Sequence, residues 1–243
     1  MTTQPSPTID VLIPARNEEA ALPLVLQEIS RDLVRTIVVV DNGSTDRTAE
    51  AARAAGARVV DCPVAGYGRA CLAGLAAMAE DPPDVVVFLD GDRSDHPDHM
   101  SDLVAPILAD EADMVLGSRT RGVAEKGSLT ITQRFGNWLA TRLMRLFWRA
   151  DYSDLGPFRA IGWHALQRLQ MADTNFGWTI EMQIKALGHG LRTSEIPVRY
   201  RARIGQSKIS GTLSGCVRAG TKILYTIFKY RFLEPVKAVP ART

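Results

Sequence analysis

Short apolar runs alternate with alanine-rich stretches of helical spacing through the first half of the chain. Ile9–Ile13, Thr36–Val40, Arg58–Val60, Val85–Leu89 and Met114–Leu116 predict strands. Thr36–Val40 is β-branched at every position, which suits a strand buried on both faces. Glu18–Ser30, a segment running from a Ser44 or Thr45 cap to Ala55, Gly68–Glu80 and Pro97–Leu108 predict helices. This rhythm implies an α/β fold with a central, mostly parallel sheet and helices on both faces. In such sheets ligands bind beyond the carboxyl ends of the strands. Three polar clusters fall at those ends: Pro14–Glu18, Asp41–Asp46 and Asp90–Asp95.

The second half follows a different pattern. Arg121–Thr130 is polar and glycine-containing, and predicts a loop. Gln133–Arg149, Trp178–Leu187 and Val217–Phe232 predict helices, Arg192–Arg199 a strand and Arg201–Thr212 a basic loop. In the first of these helices Arg134, Trp138, Arg142, Arg145 and Arg149 stand three or four apart and form one stripe. Phe135, Leu139, Leu143, Leu146 and Phe147 are expected on the core. The last helix sets Arg218, Lys222, Lys229 and Arg231 beside Ile223, Leu224, Ile227 and Phe228. Basic amphipathic helices of this kind suit either a solvated face or an anionic membrane surface. No linker rich in Pro, Gly or Ser divides the chain, so a single domain over residues 1–243 is expected.

Composition narrows the class. The 243 residues are 46% hydrophobic, enough for one sizeable core, and a net charge of +2 argues against a nucleic-acid surface. Cys62, Cys71 and Cys216 are odd in number and lack metal-ligand spacing, so they read as free thiols in a reducing compartment. Residues 1–8 show no signal-peptide pattern, and no apolar stretch approaches the roughly 20 residues of a membrane span. A cytoplasmic protein, able to sit peripherally on the cytoplasmic membrane face, is expected.

The acidic cluster carries the chemistry. A predicted buried strand runs directly into Asp90-Gly91-Asp92, with Gly91 expected to permit a tight turn. Side chains two apart at a strand end point the same way, so the two carboxylates make a hard-oxygen site. Mg2+ or Mn2+ held there would keep water ligands and accept phosphate oxygens. An isolated Asp-x-Asp also suits a turn or a cap; the two other polar clusters on the same rim favour the ion site. His96 and His99 read as the start of a helix at Pro97 rather than as a zinc pair.

These motifs resemble those of family 2 glycosyltransferases with the GT-A (Rossmann-like) fold. The segments concerned are Ile13–Glu18, Val40–Asp46, Gly66–Ala70, Asp90-Gly91-Asp92 and Gly117-Ser118-Arg119. In the second half, Asp154–Ala160, Glu181-Met182, Glu195–Val198 and Arg203–Lys208 are similar to dolichyl-phosphate mannosyltransferases and polyprenyl-phosphate glucosyltransferases. The resemblance spans roughly residues 8–232. It implies a nucleotide-sugar donor, UDP-glucose or GDP-mannose in class, a divalent metal and a polyprenyl-phosphate acceptor. A membrane surface or a membrane-protein partner would accompany that acceptor, and nucleic acid is not implied.

Site roles follow from the resemblance. Pro14, Ala15, Arg16 and Glu18 would flank the nucleoside, and Asp41 would meet the base or ribose. Gly68, Gly91, Arg119 and Lys208 would complete the donor site. Asp90, Asp92 and Ser94 would serve the metal and diphosphate. Asp92, Asp154 and Arg203 would act at the reaction, with Asp154 a base if the acceptor were a hydroxyl. Arg121, Arg134, Arg159, Glu181 and Ser207 would hold the acceptor. Residues 1–120 would form the nucleotide-sugar half and 121–243 the acceptor half. Ser94 and Pro157 depart from the Gln and Ser common in the mannosyl group, which leaves the sugar open.

Rival readings have weaker support. A nucleotidyltransferase usually shows a glycine-rich loop where Ile13–Glu18 has no glycine. A nicotinamide enzyme would show Gly-x-Gly-x-x-Gly after the first strand. A non-catalytic nucleotide-binding module would not need both the carboxylate pair and the basic C-terminal motif. Transfer to a soluble hydroxyl acceptor is the remaining alternative.

Overall fold

In the computed structural model, residues 6–205 and 213–240 are described. Strands β1 (Ile9–Ala15), β2 (Thr36–Asp41), β3 (Arg58–Asp61), β4 (Val85–Phe88), β5 (Met114–Ala124), β6 (Arg159–Gly162) and β7 (Thr193–Tyr200) form one sheet in the order β3-β2-β1-β4-β6-β5-β7. All pairings are parallel except those of β6, which runs antiparallel to both β4 and β5. The mostly parallel sheet expected from the apolar runs is therefore present, and β6 splices the second half of the chain into its centre.

Alternation along the strands feeds two cores. Leu12, Val38, Val40, Val86 and Phe88 point to one face, which is covered by α3 (Tyr67–Met78), α5 (Ile131–Trp148), α6 (Trp163–Leu169) and α7 (Trp178–Gly188). Val11, Ile13, Val39 and Val87 point to the other, under α1 (Leu22–Glu28) and α4 (Met100–Leu108). Each such side chain contributes about 1.5–3 kcal/mol by leaving water. α2 (Thr48–Ala54) and α8 (Leu213–Phe228) complete the helices, and a five-residue π-helical turn, Lys229–Leu233, follows α8.

Several boundaries differ from the sequence reading, for local reasons. α1 begins at Leu22 rather than Glu18, because residues 17 and 18 instead bond to the segment between β2 and α2: Glu18 N donates to Thr48 Oγ1 and Asn17 Oδ1 accepts from Thr45 N at 2.7 Å. Ser44 and Thr45 are thereby engaged away from the start of α2, where Asp46 Oδ1 accepts from Thr48 N. The two strand-end loops are pinned to each other, and Asn17 takes a left-handed φ of 54° to allow it. β5 runs to Ala124, so Arg121–Ala124 is strand rather than loop; pairing with β7 past a register shift supports it. The helix start at Pro97 is present as a short 3-10 turn leading into α4.

α5 meets the core with only part of the expected apolar set, as Leu143 and Phe147 pack against it. Ala140, Met144 and Trp148, four apart, are buried, while Phe135 and Leu146 are 58% and 72% exposed. Exposed aromatic and aliphatic side chains thus lie among Arg134, Arg142 and Arg145 on the outer surface. Among the described residues no helix is long and apolar enough to cross a membrane.

Candidate active site

β4 delivers the acidic turn. Its end is held by β1 on one side and β6 on the other, so the backbone before Asp90 has no freedom to drift. The left-handed residue of the turn is Arg93, at φ 65°, rather than Gly91, which lies against Ile13, Ala15 and Leu22. Asp92 Oδ1 accepts from Ser94 N at 2.9 Å, and its Oδ2 meets Arg203 Nη2 at 2.6 Å. Tyr67 Oη donates to Asp90 Oδ1 at 3.3 Å. Burial, then the neighbouring Asp92 charge, pushes the Asp90 carboxyl up to about 7.

A third carboxylate stands behind the pair. Asp95 is buried, and among the described residues neither of its oxygens has a hydrogen-bond partner. Burial and the charges of Asp90 and Asp92 raise it well above the usual carboxylate range. Such a gathering is unfavourable by itself and is relieved by a cation. Among the described residues no three His, Cys, Asp or Glu side chains converge tightly enough to cage a metal alone. The donor set therefore fits an ion that takes one or two carboxylates and fills its shell with water and phosphate, as Mg2+ and Mn2+ do.

The chain beyond β7 is laced to this turn. Arg201 N donates to Ser94 O and Ile204 N to Asp92 O, each at 3.0 Å. Arg201 Nε donates to Arg93 O, and its Nη2 pairs with Glu28, which also holds Arg93. Arg201 is a staple, and its neighbour Arg203 is the cation it delivers to Asp92.

Two cavities meet here. One, of about 430 Å3, runs over the ends of β1, β2 and β4. The other, of about 920 Å3, lies between α5 and α8 and is lined by apolar residues including Leu129, Phe135, Trp138, Leu139, Ile223 and Leu224. Tyr67, Asp90, Phe176 and Arg203 line both, which marks the junction.

The expected site residues sort by this geometry. Pro14, Ala15, Arg16, Glu18, Asp90, Gly91, Asp92 and Arg203 line the smaller cavity. Arg119, Arg134 and Asp154 line the larger. Ser207 and Lys208 lie outside the described residues. Among the described residues, Asp41, Gly68, Ser94, Arg121, Arg159 and Glu181 line neither cavity.

Each of those six has other work. Asp41 Oδ1 accepts from Ser44 N, and the cavity at the end of β2 is lined by Asn42 instead. Gly68 is a packing glycine, since a Cβ there would come within 2.0 Å of the Asp173 carbonyl oxygen. Ser94 is buried beneath the turn. Arg121 pairs with Glu195. Arg159 is buried in the sheet, donating to Gly156 O and Thr179 O, and burial pulls its guanidinium down to about 10. Glu181 is fully buried and accepts from Tyr230 Oη at 2.6 Å and from Asp173 N at 2.7 Å, with Lys185 beside it.

Asp154, although it lines the larger cavity, is also committed. It is 1% exposed and takes both Arg119 Nε at 2.8 Å and Arg119 Nη2 at 2.6 Å. That fork geometry aims Arg119, which stacks over Tyr200 at 5.1 Å, toward the junction. Glu195 supports the loop, accepting from Ser153 N and Asp154 N. A free general base is not what Asp154 offers.

The sequence reading missed Asn42, Tyr67, Asn175, Phe176, Arg218 and Lys222, all of which line the smaller cavity. It also gave no site role to Asp95. The Asp90–Asp95 cluster carried a signal for Asp95; nothing local in the sequence marks Asn175 or Phe176.

Comparison with known proteins gives a consistent set. Residues 10–168 match the family model for glycosyl transferase family 2. An uncharacterized glycosyltransferase of Mycobacterium tuberculosis is 37% identical over 212 residues, covering 87% of this chain and 94% of the relative. The dolichyl-phosphate hexose transferase of Haloferax volcanii is 33% identical over 218 residues, covering 88% and 92%. Among solved structures, glucosyl-3-phosphoglycerate synthase from Mycobacterium tuberculosis, in complex with Mn2+, UDP-glucose and phosphoglyceric acid, superimposes with a TM-score of 0.75 at 26% identity, covering 98% of this chain and 88% of that one.

Proposed function

The chain belongs to glycosyl transferase family 2, and on that premise we propose that it transfers a hexose, with inversion, from a nucleotide-sugar to a polyprenyl phosphate. The donor is of the UDP-glucose or GDP-mannose class. The observation that carries the reading is the junction of a polar, carboxylate-floored cavity with a larger apolar one at Tyr67, Asp90, Phe176 and Arg203. A nucleoside diphosphate suits the first, and an isoprenoid chain suits the second.

Within this reading, Pro14, Ala15, Arg16 and Glu18 border the nucleoside. Asp90 and Asp92 hold the divalent ion, which supplies neutralisation of the charge that develops on the departing diphosphate. Arg203, already beside Asp92, exchanges that carboxylate for phosphate oxygens as the site fills. Arg119, aimed by Asp154, meets the acceptor phosphate, with Arg134 at the rim of the same cavity. A phosphate acceptor is already an anion and needs no proton removed, so the commitment of Asp154 to Arg119 is no obstacle. The name of the Haloferax volcanii relative supports the same acceptor class. An acceptor of this kind brings the exposed apolar and basic surface of α5 to a membrane, peripherally and on the cytoplasmic face.

The phosphoglycerate-bound neighbour favours a second reading, transfer to a soluble hydroxyl acceptor. The apolar lining of the larger cavity weighs against it, because a small anion gains nothing from Trp138, Leu139 and Ile223. The first test is thermal stabilisation by UDP, GDP, CMP and dTDP, each with Mn2+ and with chelator. Metal-dependent stabilisation by one diphosphate is expected, since a ligand of the native state raises the melting temperature by mass action. No response to any of them would overturn the donor site.

A further inference from the structure

The smaller cavity is lined by both signs of charge. Asp90 and Asp92 stand with Arg203, which pairs with Asp92 at 2.6 Å, and Arg218 and Lys222 add two further cations to the lining. Arg218 and Lys222 both come from α8 and are four apart, so they share one face of the helix. Neighbouring α8 residues Cys216, Gly220 and Ile223 line the larger cavity instead. One helix thus borders both cavities, with cations toward one and small or apolar side chains toward the other.

The donor-side face of α8 is fixed by built contacts. Lys222 Nζ pairs with Asp173 Oδ2 at 2.7 Å, and the Asp173 side chain is only 7% exposed. Asp173 Oδ1 also accepts from Asn175 N at 2.7 Å and from Gly177 N at 3.1 Å, which shapes the loop carrying Asn175 and Phe176 into the cavity. The same loop is clasped from below, where Arg69 N donates to Thr174 O and a Cβ on Gly66 or Gly68 would collide with backbone carbonyls. Arg218, one turn before Lys222, is carried on this anchored surface.

We propose that α8 is part of the donor site, and that Arg218, supported by Lys222, binds the diphosphate of the nucleotide-sugar. This rests on the donor reading above and assigns to α8 a substrate contact in place of a purely surface role. A diphosphate carries two or more negative charges over several oxygens, and in a cavity that also holds two carboxylates it needs cations within reach. Arginine presents a planar fork of donors matched to phosphate oxygens, which suits Arg218 better than Lys222, whose ammonium is shared with Asp173.

The test is titration of UDP and GDP, and of uridine and guanosine, into the wild type, Arg218→Ala, Arg218→Lys and Lys222→Ala with Mg2+ present. Arg58→Ala, which removes a positive charge from the edge strand β3, is the control. The expected result is diphosphate binding about tenfold weaker in Arg218→Ala, with nucleoside binding and melting temperature unchanged and partial rescue by lysine. Arg58→Ala is expected to match the wild type. Diphosphate binding by Arg218→Ala equal to the wild type would overturn the proposal, as would an equal loss for nucleoside and diphosphate. If the wild type binds no diphosphate, the donor reading itself falls, and this assignment with it.

Discussion

At the sheet rim, Asp90 and Asp92 follow directly on a strand clamped between its neighbours, and both reach the cavity. Around the two cavities, the arginines from β5 onward are divided. Arg159 and Arg201 are spent on carbonyl oxygens and Glu28, Arg119 is locked to Asp154, and Arg203 and Arg218 reach the donor side. On the rim, strand position alone decides which side chain serves the site. In the wall, the nearest acceptor decides, because a guanidinium donates to whatever oxygen lies within reach. Charge at the rim is left partly uncompensated for a ligand, while charge in the wall is largely compensated within the chain.

The largest expected effect tests that contrast at the rim. Asp90→Ala and Asp92→Ala should each lower turnover about a thousandfold, the rate equivalent of roughly 4 kcal/mol of lost charge stabilisation. The melting temperature of ligand-free Asp90→Ala should hold, because removing Asp90 relieves a buried charge. A large drop in melting temperature would move Asp90 into the structural class.

The opposite outcome is expected in the wall. Asp154→Asn leaves Arg119 buried without its counter-charge and should cost about 3 kcal/mol of stability, read from urea denaturation. Undiminished stability would place Asp154 with the rim carboxylates. Gly68→Ala comes next, at about 1–3 kcal/mol, since its methyl group meets the fixed backbone oxygen of Asp173 rather than a side chain that can swing away. Nucleotide affinity should change little in the Gly68 variant once it is folded.

The smallest effect concerns the staple between α1 and the two basic segments. Burial acts to raise the Glu28 carboxyl, and hydrogen bonds from Arg201 and Arg93 outweigh it, so it sits below the ordinary 4.5. A depressed carboxyl contributes stability above its unfolded value and loses it as pH falls through the folded one. Acid melts should therefore show a shallower pH dependence below about 4.5 in Glu28→Gln than in the wild type. Identical slopes would show that the staple contributes nothing.

The rim was legible in the sequence because a parallel strand announces itself by an unbroken apolar run and its chemistry follows at once, as at Val85–Asp92. The wall was not, because its members come from distant segments. β6 is four residues long and passes directly into α6, so neither produced a pattern of its own. Arg159 and Glu181 look like binding residues by charge, and only the fold reveals that carbonyls, Lys185 and Tyr230 already occupy them. Gly68 reads as part of a ligand loop, although the chain itself fills the space its side chain lacks. Arg218 and Lys222 read as surface charge until α8 is seen to face a cavity.

The junction of the two cavities carries the acceptor assignment, and hexose transfer tests it directly. The purified protein would be incubated with radiolabelled UDP-glucose or GDP-mannose, Mn2+ and either a short polyprenyl phosphate or 3-phosphoglycerate, and the product partitioned into organic solvent. Label appearing in the polyprenyl phosphate with one donor, and lost with chelator, is the predicted result. Label in phosphoglycerate alone, or transfer unaffected by chelator, would contradict it.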